Sequence, residues 1–225
     1  MPTPAHLKSP FVSDNYYHLV CKSIDGLLLF PSHEDYHVFK DRFKKFTDEF
    51  LEIWSYCLLP NHTHQIIKIK AGSTIKKCID NFPLENKTKA MLSFSEDCTN
   101  EIALDKMIDR QMNSFLVSYA NYYNNTYNRQ GGLFQKPFKR IAITDDTHLQ
   151  QAIIYVHANA QKHGIVNDYK QSPYSSYNNM INGTDYYIKS KNVLSFFGGK
   201  EKFIEIHNSQ VDFYYQNSWP NSKLE

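Results

Sequence analysis

Two histidines, His62 and His64, are separated by one residue in the run HTHQIIKI (62–69). In a strand, positions i and i+2 share a face, so both imidazoles project together and can grip one metal ion. With 10 His in 225 residues, a His-x-His pair also arises by chance. Its position favours a site, because it follows a strand and a Pro60–Asn61 turn and opens an apolar strand. A second set has helical spacing. Tyr155 and Asn159 are four residues apart and stack on one helical face, with His148 and Lys162 on the same flank and Leu149, Ala152, Ile153, Val156 and Ala160 as the core stripe. A tyrosine hydroxyl can act as a covalent nucleophile, and an Asn carbonyl oxygen suits a hard divalent ion. A half-buried tyrosine at a helix edge explains the same spacing without chemistry. The third feature is RQGGLFQKPFKR (129–140), where Arg129, Lys136, Lys139 and Arg140 interleave with Phe134 and Phe138 and no acidic residue intervenes. Cations and rings together suit a single-stranded nucleic acid path, and a solvated edge strand with core-facing Phe fits equally well.

These residues need elements to hold them. Tyr16–Lys22 reads as a strand, followed by an Asp25–Gly26 turn. Ser32 caps a helix in which Tyr36, Phe39, Phe43 and Phe46 recur at helical spacing. Leu51–Leu59 and His62–Ile69 form an antiparallel hairpin about the Pro-Asn turn. Residues 71–100 carry helical pieces broken at Pro83, and Leu104 to Tyr119 mark a long amphipathic helix that ends before Gly131–Gly132. Leu133–Thr144 reads as an edge or bulged strand interrupted by Pro137. Asp146–Thr147 cap the next helix, with Gln150 completing a capping box from Thr147, and that helix stops at His163–Gly164. The order predicts an α+β sandwich, an antiparallel sheet covered by helices. Residues 1–180 form the main domain, and 181–225, rich in Asn, Ser and Tyr with a weak helix after Asn192, an appendage.

Composition narrows the classes. Hydrophobic residues are 41% and charged residues 21%, ordinary globular usage that excludes disordered and fibrous chains. A balance of 25 basic to 23 acidic residues excludes a uniform polycation, so any nucleic acid contact must be local. Four cysteines stand far apart with no CxxC pair, which argues against a zinc ribbon and a disulfide framework. No apolar run reaches the roughly 18 residues of a membrane span, so a cytoplasmic protein without a membrane partner is expected.

In order, these pieces resemble one family. LLPNHTHQIIKI is similar to the His-hydrophobic-His signature of HUH single-tyrosine transposases, and YNRQGGLFQKPFKR resembles the Asn-Arg, Gly, aromatic-Gln, basic stretch of their REP-associated branch. YVHANAQKHGIV (155–166) looks like that branch's Tyr-Ile-His-x-Asn-Pro block, SPYSSY (172–177) like the Ser-Ser-Tyr beyond it, and YYHLVCKSIDGLLLF like its first strand and turn. The resemblance covers roughly residues 10–200. It implies a ferredoxin/RRM-like HUH nuclease fold with His62, His64 and Asn159 as ligands of a divalent metal ion, Mg²⁺ or Mn²⁺, and Tyr155 as the nucleophile. The implied activity is cleavage and rejoining of single-stranded, hairpin-forming DNA through a 5′-phosphotyrosine, with Arg129, Phe134, Lys136, Phe138, Lys139, Arg140 and Lys162 along the DNA. Three departures stand out: Thr63 between the histidines, Ala160 in place of Pro, and Lys136–Pro137–Phe138 where Gly-Arg-aromatic is usual. A monomer and a homodimer that exchanges its Tyr155 helix are both compatible with the sequence. So are a non-catalytic nucleic-acid-binding module and a hydrolase in which metal-bound water attacks.

Overall fold

The computed structural model describes residues 8–185 and 187–216, with side chains as far as residue 211. Among the described residues there are four strands and eight α-helices. Strand β1 (Tyr16–Lys22) leads to helix α1 (His33–Thr47), strands β2 (Leu51–Leu59) and β3 (His62–Ile69), and helices α2 (Gly72–Asp80), α3 (Lys89–Glu96) and α4 (Glu101–Thr126). Strand β4 (Lys139–Ile143), helix α5 (Asp146–Lys162) and helices α6 (Ser176–Asn182), α7 (Ser190–Phe196) and α8 (Lys200–Gln216) follow.

The sheet is antiparallel throughout, in the order β2-β3-β1-β4. With α1 and α4 as the crossovers this is the β-α-β-β-α-β arrangement of ferredoxin-like folds, and it bears out the expected α+β class. β1, β2 and β3 have the expected bounds, since β-branched and aromatic residues there are cut by turn formers. The sheet places β3 between β1 and β2, with Lys22, Val20 and His18 opposite His62, His64 and Ile66. Directly opposed residues share a face, so one face of the sheet carries His18, His62 and His64, and the other carries Tyr17, Leu19, Gln65 and Ile67.

Helices α1 and α4 cover the second face. Phe39 and Phe43 of α1 meet Phe115 of α4 edge to face, each with ring centroids 5.0 Å apart, and all three are fully buried. Such aromatic packing adds about 0.5–1.5 kcal/mol per pair beyond burial. Lys40 of α1 donates to Tyr56 Oη of β2 (3.1 Å) and to Asp185 (2.7 Å). Helix α5 lies on the first face across β2 and β3, and α8 packs outside it. That stacking gives four layers at this end: α1 and α4, sheet, α5, then α8.

Several local expectations change. The strand expected at 133–144 is confined to Lys139–Ile143. The residues before it form a loop pinned by Ile24 N–H to Leu133 O and Gln135 N–H to Lys22 O. The α5 cap is Asp145, whose carboxylate accepts from His148 N at 2.8 Å, one residue before the expected Asp146–Thr147. Region 71–100 resolves into α2 and α3, and the stretch after Gly183 into α7 and α8. Of the expected appendage, residues 217–225 lie outside the described residues. Its α8 buries Phe203, His207 and Val211, and a chain of hydrogen bonds ties it to α5. His207 Nδ1 donates to Phe203 O (2.7 Å), His207 Nε2 lies 2.9 Å from His157 Nδ1, and His157 Nε2 lies 2.8 Å from Ser176 Oγ.

Burial keeps four rings from protonating. It lowers His18 to about 3 and His207 to about 4, and holds His64 and His157 well below 6.5. An unfolded chain protonates each near pH 6.5. Between those values the unfolded state binds more protons, so stability is complete above about pH 6.5 and falls as pH drops toward 4, by up to about 1.4 kcal/mol per pH unit for each ring. Urea unfolding with a chelator present should show its midpoint falling steeply from about pH 7 to about pH 5; a flat profile would mean that these rings titrate as in water.

Candidate active site

Strand alternation brings His62 and His64 to the α5 side of the sheet, and each ring is held through one nitrogen. His62 Nδ1 donates to Asn61 Oδ1 at 2.7 Å, which leaves Nε2 of the neutral ring as a lone pair. His64 Nδ1 lies 2.9 Å from Nε2 of His18 on β1. With His64 Nδ1 as the donor in that contact, its Nε2 is also a lone pair. His64 is fully buried, and its Nε2 has no hydrogen-bond partner. A buried imidazole nitrogen without a partner is costly unless something else, such as a cation, occupies its lone pair. Histidine ligands of metals are commonly oriented through their other ring nitrogen in this way.

Helix α5 presents Tyr155 and Asn159 at i and i+4 on one side, and His163 caps its C-terminal end. Asn159 is fully buried; its Nδ2 donates to Tyr155 O at 2.7 Å, and its Oδ1 has no partner. His163 follows the last helical residue, with its N–H bonded to Asn159 O (2.9 Å), and Gly164 then turns the chain at a φ of 66°. That left-handed conformation is the usual glycine device for ending a helix. The His163 ring stands edge to face with His62, centroids 4.9 Å apart. One ring nitrogen each of His62, His64 and His163 lie within 4.8 Å of one another. Tyr155 is 1% exposed. Its ring meets both His18 and His64 edge to face at 5.9 Å, and Lys162 Nζ lies 5.1 Å from its centroid.

The structure thus gathers Tyr155, His62, His64 and Asn159 between β3 and α5. It also adds His18 and His163, which carried no expectation. His18 was legible only as an inward position of β1, because its partner is a strand away. In the sequence His163 reads as a helix stop, and its spacing of eight from Tyr155 is the signal that points to the site. The imidazoles of His62, His64 and His163 could hold a metal ion, and Asn159 Oδ1, buried and without a hydrogen bond, is an oxygen donor on the same helix. A surface cavity of about 250 Å³, lined by Leu28, Pro60, His62, His163 and Ile165 among others, opens beside them.

The residues expected along DNA are divided. Arg140 is 3% exposed, its guanidinium held at 3.0 Å from both Asp105 and Asp109 of α4 and 4.3 Å from the Phe11 ring centroid. It lies on the α4 side of the sheet, so its charge is committed to the fold and not available to a strand of DNA. Phe134 and Phe138 are 6% and 4% exposed and pack in the core, so neither is a stacking platform in this arrangement. The reason is parity: β4 begins only at Lys139, which turns Arg140 inward. Lys139 faces the site, since it opposes Val20, whose other neighbour is His64. Lys136 is exposed and Arg129 half-buried, with its Nη1 donating to Asn124 Oδ1 at 3.1 Å. Lys162 is half-buried beside Tyr155. No helix among the described residues is long and apolar enough to cross a membrane.

Replacing His18 by Phe keeps a ring but removes the partner of His64 Nδ1. Divalent-metal affinity measured by calorimetry should fall roughly 10–100-fold, the usual effect of losing such a partner; an unchanged affinity would show that His18 does not orient His64.

No family model matches the chain. In sequence it is similar to a putative REP-associated tyrosine transposase of Haemophilus influenzae (strain ATCC 51907 / DSM 11121 / KW20 / Rd), 24% identical over 152 residues that cover 66% of this chain and 72% of that protein. A solved structure of a REP-associated tyrosine transposase bound to a REP hairpin aligns with a TM-score of 0.49 at 15% identity, covering 78% of this chain and 84% of that one. The family that the motifs resemble is therefore also the one that the name of a curated relative gives: over about two thirds of its length, the chain is similar to a putative REP-associated tyrosine transposase.

Proposed function

We propose that this protein is a metal-dependent strand transferase of single-stranded DNA, a transposase-type enzyme that acts beside hairpin elements. The observation that carries the reading is the edge-to-face contact of the Tyr155 ring with His64, whose buried Nε2 lacks a hydrogen bond, on the helix that also carries the buried Asn159 Oδ1 without a hydrogen bond. Buried polar atoms without a hydrogen bond are few in native proteins and each calls for an explanation, which a bound cation would supply here. Similarity to a putative REP-associated tyrosine transposase supports the substrate class.

His62 Nε2, His64 Nε2 and Asn159 Oδ1 would hold the ion. A bound divalent cation supplies charge neutralisation at a scissile phosphate. Tyr155 Oη attacks phosphorus, forming the O–P bond of a 5′-phosphotyrosine as the bond to the 3′ oxygen breaks; the tyrosine gives up its proton and the leaving 3′ oxygen gains one. The covalent ester keeps the phosphodiester energy, so the reverse step on another 3′-hydroxyl needs no nucleotide cofactor. His18 keeps His64 in the ligand tautomer. Lys139 and Lys162 lie on the site side and supply cations to the DNA backbone, with Lys136 and Arg129 farther along the loop. Tyr155 is packed at 1% exposure, so attack requires its ring or the end of α5 to move outward, within one chain or toward a second copy.

The test is an end-labelled hairpin oligonucleotide with single-stranded flanks, incubated with Mn²⁺ or Mg²⁺ and resolved under denaturing conditions. A labelled covalent adduct should form, and Tyr155→Phe should abolish it, by roughly 10³-fold or more, while leaving hairpin binding intact. His64→Ala should remove adduct and metal dependence together. Cleavage that survives Tyr155→Phe would instead assign the attack to water, and tight binding without cleavage would make the protein a binding module.

A further inference from the structure

We propose that His163 is a third imidazole ligand of this metal site, giving it three nitrogen donors and one amide oxygen and selectivity for a transition ion such as Zn²⁺ or Co²⁺ over Mg²⁺. The proposal rests on the metal-site reading above and adds a third imidazole to the His62, His64 and Asn159 set.

Three observations carry it. The ring nitrogens of His62, His64 and His163 lie within 4.8 Å of one another. A tetrahedral ion with nitrogen ligands at about 2.0–2.1 Å spaces them by about 3.3 Å, so closing the cluster asks for shifts of no more than ~1.5 Å. The second observation is placement. Tyr155 and Asn159 lie four residues apart on α5 and His163 is its C-terminal cap, so the helix that carries the amide oxygen ends on the third ring. The His163 backbone is fixed there by its N–H bond to Asn159 O at 2.9 Å. The third is the wall. His62 and His163 together line the cavity beside Leu28, Pro60 and Ile165, so His163 stands where the inner cluster meets solvent and an incoming phosphate.

The donor chemistry then decides the ion. Mg²⁺ demands oxygen ligands in octahedral geometry and keeps several waters. Imidazole favours later first-row ions, and affinity climbs from Mn²⁺ through Co²⁺ to Zn²⁺'s range along the usual order. Three histidines with an open fourth position is a known catalytic zinc arrangement; here Asn159 Oδ1 or a substrate phosphate oxygen would fill it.

The experiment is metal titration of the full chain, without DNA, by calorimetry with Zn²⁺, Co²⁺ and Mg²⁺ and by the visible absorption of bound Co²⁺. The wild type should bind Zn²⁺ at least 100-fold more tightly than Mg²⁺. His163→Ala should weaken Zn²⁺ and Co²⁺ at least 10-fold, leave Mg²⁺ affinity unchanged, and unfold at the same urea midpoint in chelator. His163→Cys should give Co²⁺ a thiolate charge-transfer band, which appears only if position 163 enters the coordination sphere. His64→Ala separates the two readings. If it abolishes binding while His163→Ala and His163→Cys behave as described, both readings stand. If it abolishes binding while His163→Ala has no effect and His163→Cys shows no band, the third ligand is refuted and the underlying site survives. If His64→Ala binds metal as well as the wild type, the site itself is refuted.

Discussion

The contact between β3 and α5 is the constraint from which the rest of the site follows. β3 is an inner strand, hydrogen-bonded on both sides, so neither its position nor its register can slip without breaking two ladders. A one-residue slip would send His62 and His64 to the α1–α4 face. The two fixed ladders therefore decide which helix meets the histidines. Helix α5 lies on that face across β2 and β3, and its own periodicity decides which residues it lowers onto them. The chemistry is thus set by two repeats, two residues in the strand and 3.6 in the helix, meeting at a fixed crossing.

The arrangement is unfavourable on its own terms. A buried polar atom without a partner costs about 1–3 kcal/mol, and His64 Nε2 and Asn159 Oδ1 are both such atoms. Burial also deprives His18 and His64 of the protonated state that would stabilise them in water. The opposite face offsets this. There Phe39, Phe43, Phe115 and Tyr119 are fully buried, and each large ring contributes several kcal/mol of burial and packing. Burial on the α1–α4 face thus offsets part of the cost of the polar atoms on the α5 face.

Much of this was legible in the sequence where the information is local. The bounds of β1, β2 and β3 follow from alternation cut by Asp25–Gly26 and Pro60–Asn61, and Tyr155 and Asn159 from simple helical spacing. What escaped depends on contacts distant in the chain. His18 matters only because register puts it beside His64, 46 residues away. Arg140 looked like one more cation in a basic run, and its burial depends on Asp105 and Asp109, two acidic residues one turn apart on a helix more than 30 residues earlier. The Asp145 cap lies one residue before the expected Asp146–Thr147, because Asp, Asp and Thr in succession all carry side chains able to cap.

Helix α5 has a second face, and that face belongs to the C-terminal region. His157, between Tyr155 and Asn159 in sequence, points the other way into His207 of α8 and Ser176 at the start of α6. The helix that carries the tyrosine is therefore a shared wall with reactive groups on one side and a splint on the other. A load applied to α8 reaches the helix of the tyrosine through the His157–His207 pair and the packing of α8 on α5. The C-terminal region is thus mechanically in series with the reaction centre.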